Sequence, residues 1–184
     1  IFATESAQYA IENSDLALVC VGTPPEKDGS ANLKYLTRVV EDIAKNISKK
    51  DFFTIVIRST IFPGTIDNIL VNIVEEKSGK KFIRDFDIIS NPEFLREGTA
   101  VKDFFNPPFT IIGGHCSRSI EELGLLYAGL ETPTIKTIPK VAEMIKFTNN
   151  SFHALKVSFA NEIGSICKEH GIDSHAVMDI FIKD

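Results

Sequence analysis

Phe53-Thr54-Ile55-Val56-Ile57, running directly into Arg58-Ser59-Thr60, is the stretch that decides the fold. An uncharged run of this kind reads as a strand buried on both faces, the environment of a parallel sheet covered by helices. Working outward, Leu16-Ala17-Leu18-Val19-Cys20-Val21 is a run of the same type and ends at Gly22-Thr23-Pro24-Pro25. Between the two, Leu33 to Ile47 has helical spacing. On the other side, Pro63-Gly64 opens a helix through Val74 to about Ser78, and Phe86-Asp87-Ile88-Ile89 is a third strand. Phe109-Thr110-Ile111-Ile112, closed by Gly113-Gly114, is a fourth. A helix from about Ser119 to Leu130 and a strand near Thr134 to Ile138 follow. Strand–helix alternation predicts an α/β fold with a doubly wound parallel sheet.

Pro139 begins something different. From Lys140 to about His170 the pattern is one long helix, with a proline suited to its first turn and Gly171 suited to its end. Asp173 is placed to cap a further helix, Ser174 to about Phe181. A domain boundary is therefore expected near Pro139, dividing residues 1–138 from a helical region 139–184.

Composition narrows the function classes. The 184 residues are 43% hydrophobic with a net charge of -5, enough for a core and opposite in sign to a nucleic-acid footprint. No apolar run reaches the roughly 18 residues of a membrane span. Cys20, Cys116 and Cys167 are few and unpatterned, which fits free thiols in a reducing cytoplasm. Neither a metal-ligand cluster, a G-x-G-x-x-G loop nor a Walker pattern occurs. The chain starts at Ile1 without Met, which suggests a missing N-terminal segment.

Candidate chemistry lies on the long helix and on loops at strand ends. With Lys146 set at zero, about 100° per residue puts Asn150 near 40°, His153 near -20° and Asn161 near 60°. These four polar residues share one stripe, while Met144, Leu155, Phe159, Ile163 and Ile166 fall mostly opposite. The stripe reads either as a solvated face or as donors aimed at a ligand. Lys146 and Asn150, one turn apart, suit donation to a single oxyanion. On the loop after the third strand, Asn91-Pro92-Glu93-Phe94-Leu95-Arg96-Glu97-Gly98 presents two carboxylates, where open α/β sheets bind ligands. They read either as a base with a hydrogen-bond acceptor or as a cap with an ordinary surface glutamate. Thr23-Pro24 and Ser59-Thr60, also at strand ends, suit helix caps or contacts to a dinucleotide. His115, His170 and His175 have no partner spacing and read as surface or capping groups.

These residues carry a resemblance. Ser90 to Gly98, SNPEFLREG, followed by Thr99-Ala100-Val101-Lys102-Asp103, resembles a signature of the UDP-glucose and GDP-mannose dehydrogenases. Val21-Gly22-Thr23-Pro24, Arg58-Ser59-Thr60, Pro63-Gly64-Thr65 and Ala142-Glu143-Met144-Ile145-Lys146 match in order and spacing. The long helix, with His153-Ala154, Lys156-Val157 and Phe159 to Gly164, looks more like the GDP-mannose branch.

The resemblance implies NAD as cofactor, a nucleotide sugar (GDP-mannose or UDP-glucose) as substrate, and four-electron oxidation of its C6 alcohol to the uronic acid through a thioester on a cysteine. It implies that Lys146 and Asn150 stabilise the oxyanion, that Glu93 activates water for hydrolysis, and that Thr60 holds a catalytic water beside the nicotinamide. Thr23 then contacts NAD, Glu97 lies between substrate and cofactor, and His153 and Asn161 face the substrate. Residues 1–138 become a partial Rossmann-like NAD-binding domain and 139–184 a helical region that pairs two copies in a homodimer. The glycine loop and nucleophilic cysteine of such enzymes are not in the sequence, so the chain is expected to be a central fragment, inactive alone. The competing readings are a UDP-glucose 6-dehydrogenase, a non-catalytic pairing module, and a member of the wider β-hydroxyacid-type dehydrogenases, against which the Asn91-Pro92-Glu93-Phe94 loop argues.

Overall fold

The computed structural model describes residues 2–183. The chain divides into two compact units, Ile1–Lys146 and Phe147–Asp184.

The first unit is a five-stranded sheet in the order β1 (Leu16–Val19), β2 (Phe53–Ile57), β3 (Phe86–Ser90), β4 (Thr110–Gly113), β5 (Thr134–Thr137). β2 and β3 are buried at every position, the polar Thr54, Asp87 and Ser90 included, as strands covered on both faces are. Side chains alternate across a strand, so each face needs its own cover. On one face Phe53, Ile55, Ile57, Phe86 and Ile88 pack with Leu36 and Val40 of α2 (Lys34–Asn46) and with Val74 of α3 (Val71–Ser78). On the other, Val56, Ile89 and Ile112 pack with Leu123 of α5 (Ser117–Leu126). This two-sided burial is the expected α/β arrangement, and truncating one such isoleucine to alanine costs about 2–5 kcal/mol.

The sheet is the expected, predominantly parallel one, with a single antiparallel contact in its middle. β1, β2 and β3 are parallel, as are β4 and β5, but β3 meets β4 antiparallel through the single pair Ser90↔Gly113. A parallel neighbour needs a crossover that packs on the sheet. The segment between β3 and β4 holds only α4 (Ala100–Phe105), which buries no residue, so the chain doubles back at the sheet's end.

Two short helices escape the periodicity. One is α4; the other is α1 (Ala7–Glu12), whose N-cap Ser6 accepts from the Tyr9 amide. The helix expected after Pro63-Gly64 begins as a π-helical turn, Ile66–Leu70, before α3. α6 runs from Pro139 to Glu169. In the second unit it turns at Gly171 (φ 65°), and the Ile172 amide reaches back to the Cys167 carbonyl at 2.9 Å. α7 (Ser174–Phe181) is capped by Asp173 and returns Phe181 to Phe159, ring centroids 5.6 Å apart.

Candidate active site

The carboxyl ends of β1, β2 and β3 lie side by side, so their following loops converge. Thr23 Oγ donates to the Thr60 carbonyl at 2.7 Å, and Ser59 Oγ donates to the Val21 carbonyl at 2.6 Å. The two hydroxyl motifs are thereby stitched together. Beyond β3, the Asn91 amide donates to the Ile57 carbonyl at 2.9 Å, which anchors the first residue of the Asn91–Gly98 loop beside Arg58.

Arg58, Asn91 and Tyr127 form a closed polar cluster. Arg58 donates to both Asn91 Oδ1 and the Tyr127 phenol at 2.6 Å, and the phenol donates to Asn91 Oδ1 at 2.5 Å. Asn91 Nδ2 donates to the Ile111 carbonyl at 2.7 Å. Burial pushes the Tyr127 phenol up, against the opposing pull of the Arg58 cation. An adjoining cavity of about 40 Å³ is lined by Arg58, Asn91, Glu93, Phe94 and Tyr127.

Glu93 and Lys146 come together. Lys146 is only 7% exposed, which rules out the solvated-face reading for this member of the stripe. Its ammonium donates to the Glu93 carbonyl at 2.6 Å and to Glu93 Oε1 at 3.1 Å, and lies 5.4 Å from the centre of the Phe94 ring. Glu93 Oε2 accepts from the Leu95 amide at 2.6 Å. A carboxylate and a cation are thus fixed at the sheet's carboxyl end by a loop and a helix that are distant in sequence.

The start of α6 is seated by two contacts the sequence did not reveal. A Cβ added to Gly113 would lie 2.6 Å from Ala142 Cβ and 2.9 Å from the Ile138 carbonyl, so the helix approaches the end of β4 across bare backbone. Glu143, 2% exposed, accepts from the Gly64 amide at 2.5 Å and from the Ile66 amide at 3.1 Å. Burial pushes the Glu143 carboxyl up, and these two amides pull it back. Gly64 has φ 91°, the left-handed region that favours glycine.

Glu97 is exposed on the turn after the loop. Asn150, His153 and Asn161 belong to the second unit and are exposed on α6. His115, read as a surface or capping group, is exposed and faces Asp67 across 2.9 Å; the two lie 48 residues apart, a separation that spacing rules do not reach.

A family model described as the NAD binding domain of the UDP-glucose/GDP-mannose dehydrogenases matches residues 1–131, and that of the family's central domain matches residues 140–184. The chain belongs to the UDP-glucose/GDP-mannose dehydrogenase family. Within that family it is 47% identical to the GDP-mannose 6-dehydrogenase of Pseudomonas putida over 95% of this chain and 40% of the relative. A crystal structure of a ternary complex of GDP-mannose dehydrogenase from Pseudomonas aeruginosa superimposes with a TM-score of 0.95 at 44% identity, covering 98% of this chain and 42% of that one. Identity is 37% to a UDP-glucose 6-dehydrogenase of Haloferax volcanii, over 92% of this chain and 41% of the relative. The chain therefore spans well under half the length of the family members it matches.

Proposed function

We propose that the whole protein carrying this sequence is an NAD-dependent nucleotide-sugar 6-dehydrogenase that converts GDP-mannose to GDP-mannuronate. The observation that carries this reading is the buried Lys146 held against Glu93 beside the hydroxyl loops of Thr23 and Thr60. Identity of 43–47% to GDP-mannose enzymes against 37–39% to UDP-glucose enzymes favours the mannose nucleotide.

The strand ends fit a dinucleotide. Gly22 has open space where a Cβ would stand, and Thr23 and Thr60 bring small polar groups and backbone to one edge. Thr23, Thr60 and Glu97 would hold NAD, which supplies the hydride acceptor when bound. Lys146 and Asn150 donate to the oxygen at C6, where preorganised donors lower the barrier. Glu93 orders and deprotonates the hydrolytic water, and Thr60 holds a water on the nicotinamide side. Glu97, His153 and Asn161 contact the sugar nucleotide.

Two further parts of the reading concern assembly and location. Phe152, Leu155, Phe159 and Ile166 are exposed apolar residues of α6, and a helix so apolar is normally covered; a second copy about a two-fold axis would cover it. Three free cysteines suit the cytoplasm.

Purified whole protein, incubated with NAD and either GDP-mannose or UDP-glucose, tests the reading through NADH absorbance. Expected is turnover of GDP-mannose with two NADH formed for each uronate. Faster turnover of UDP-glucose would overturn the substrate, and no turnover of any nucleotide sugar would overturn the activity.

A further inference from the structure

We propose that Glu143 is a positioning residue that registers Lys146 against the Thr60 loop. The case starts from chain geometry. Glu143 and Lys146 are three apart on one helix, so they are neighbours on its surface. The Glu143 carboxylate is buried and reaches away from α6 to the amides of Gly64 and Ile66. Those amides lie where the loop from Thr60 turns into the π-helical segment. Free amides at a helix start carry partial positive charge, and a carboxylate complements them. One side chain thus joins the helix bearing the candidate oxyanion donor to the loop bearing the candidate water holder.

Its surroundings leave it few alternatives. Asp67 and Lys140 are the charged groups that face it, with opposite effects on its ionisation, and His115 faces Asp67 from beyond β4. Residue 64 favours glycine because its φ of 91° lies in the left-handed region; a Cβ there would also press on Asn68 Nδ2 at 2.9 Å, the movable end of a side chain. Gly113 lets the first turn of α6 close on β4, but that contact is apolar and backbone in kind and fixes separation only. The directed bonds of Glu143 fix rotation about the helix axis, and rotation decides where Lys146 points. A group displaced by about 1 Å can lose as much as 10²-fold in rate.

This inference rests on the proposed dehydrogenase reading, and the experiment separates the two. In the whole protein, Glu143→Gln is isosteric but sets an amide group against backbone N–H donors; Glu143→Asp keeps the charge and shortens its reach, and is read the same way if the glutamine variant does not fold. Hydrogen exchange over residues 60–68 comes first and needs no activity. Expected is faster exchange at Gly64 and Ile66; unchanged exchange overturns the clamp. Next comes a kinetic cycle with Lys146→Ala. Expected is a fall in kcat of about 10-fold or more with KM for the nucleotide sugar changed by less than about threefold. In the Lys146→Ala background, Glu143→Gln should have little further effect, because residues acting through one another are not additive. A full additive loss in the double variant would mean a general structural role and overturn the proposal. Full activity of Lys146→Ala alone would instead refute the functional reading while leaving the exchange result to stand on its own.

Discussion

Lys146 Nζ sits 2.6 Å from the backbone carbonyl of Glu93 and 3.1 Å from that residue's Oε1. The ammonium therefore grips the loop twice, once through main chain and once through side chain. With the cation largely shielded from water, its interactions with a developing negative charge are stronger than at a surface. Lys146→Ala in the whole protein should lower kcat by about 10²–10³, the usual loss for one oxyanion donor, with a smaller change in NAD affinity. Steady-state kinetics with kcat retained would remove Lys146 from the chemistry.

Glu93 is fixed by Lys146 on one oxygen and by the Leu95 amide on the other. Glu93→Gln preserves shape and removes the base. If Glu93 activates the hydrolytic water, the variant should pass its oxidative steps and stall as an acyl adduct on the nucleophilic cysteine of the whole protein. Intact-mass spectrometry during turnover should find the adduct accumulating. Unmodified protein under those conditions would place Glu93 elsewhere in the cycle.

The fold was legible wherever periodicity was strong. Phe53–Ile57 and Ser174–Phe181 match their expected bounds, because an uncharged run rich in β-branched residues and a capping aspartate are local signals. The antiparallel Ser90↔Gly113 pairing was not legible, since the direction of a neighbouring strand depends on where α4 packs. In the site, the Lys146–Glu93 contact joins two segments that the sequence flagged separately. Glu143 was quoted within a motif but given no role, because its partners are backbone amides, which a sequence does not distinguish. Arg58, Asn91 and Tyr127 escaped for a similar reason: three ordinary polar residues become a cluster only once β2, β3 and α5 are assembled.

Tyr127→Phe probes that cluster. The phenol both accepts from Arg58 and donates to Asn91, and its loss leaves a charged donor short of one acceptor. Hydrogen bonds to charged groups are worth about 1.5–3 kcal/mol, so the denaturant midpoint should fall accordingly. Since Arg58 and Asn91 still bond directly at 2.6 Å, the loop should stay in place and KM should change little. An unchanged midpoint would remove the phenol from the account.

Asp87 gives a pH signature. It is fully buried in β3, and burial pushes its carboxyl above the ordinary value, against the amides of Cys116 and Ile88. A carboxyl whose folded value is raised binds its proton more tightly in the folded state. Its contribution is therefore fully present below the unfolded value of about 3.9 and is lost as pH rises through the folded value. Relative to Asp87→Asn, the native protein should lose melting temperature across that window as pH increases. Subtracting the variant's curve removes Asp85 and Asp103, which shift downward and act in the opposite direction. A difference between the curves that stays flat with pH would contradict the raised value.

Gly113 offers the sharpest steric test. A methyl group there meets Ala142 Cβ at 2.6 Å, the Ile138 carbonyl at 2.9 Å and Pro139 Cα at 3.1 Å. Two of these three neighbours are backbone, so no flexible side chain can swing away, and α6 itself must lift from β4. Overpacking of this kind costs about 1–3 kcal/mol. The displacement acts on the helix that carries Glu143 and Lys146, so its consequence extends beyond stability. Gly113→Ala should lower the melting temperature and also lower kcat, with faster hydrogen exchange at Gly64 and Ile66 as the Glu143 contacts lengthen. Gly124→Ala serves as the control, since nothing lies within 4 Å of a Cβ at that position and its change should be neutral or slightly stabilising in a helix. If Gly113→Ala lost stability but kept full kcat and native exchange at those amides, the seating of α6 on β4 would be separate from the placement of Lys146.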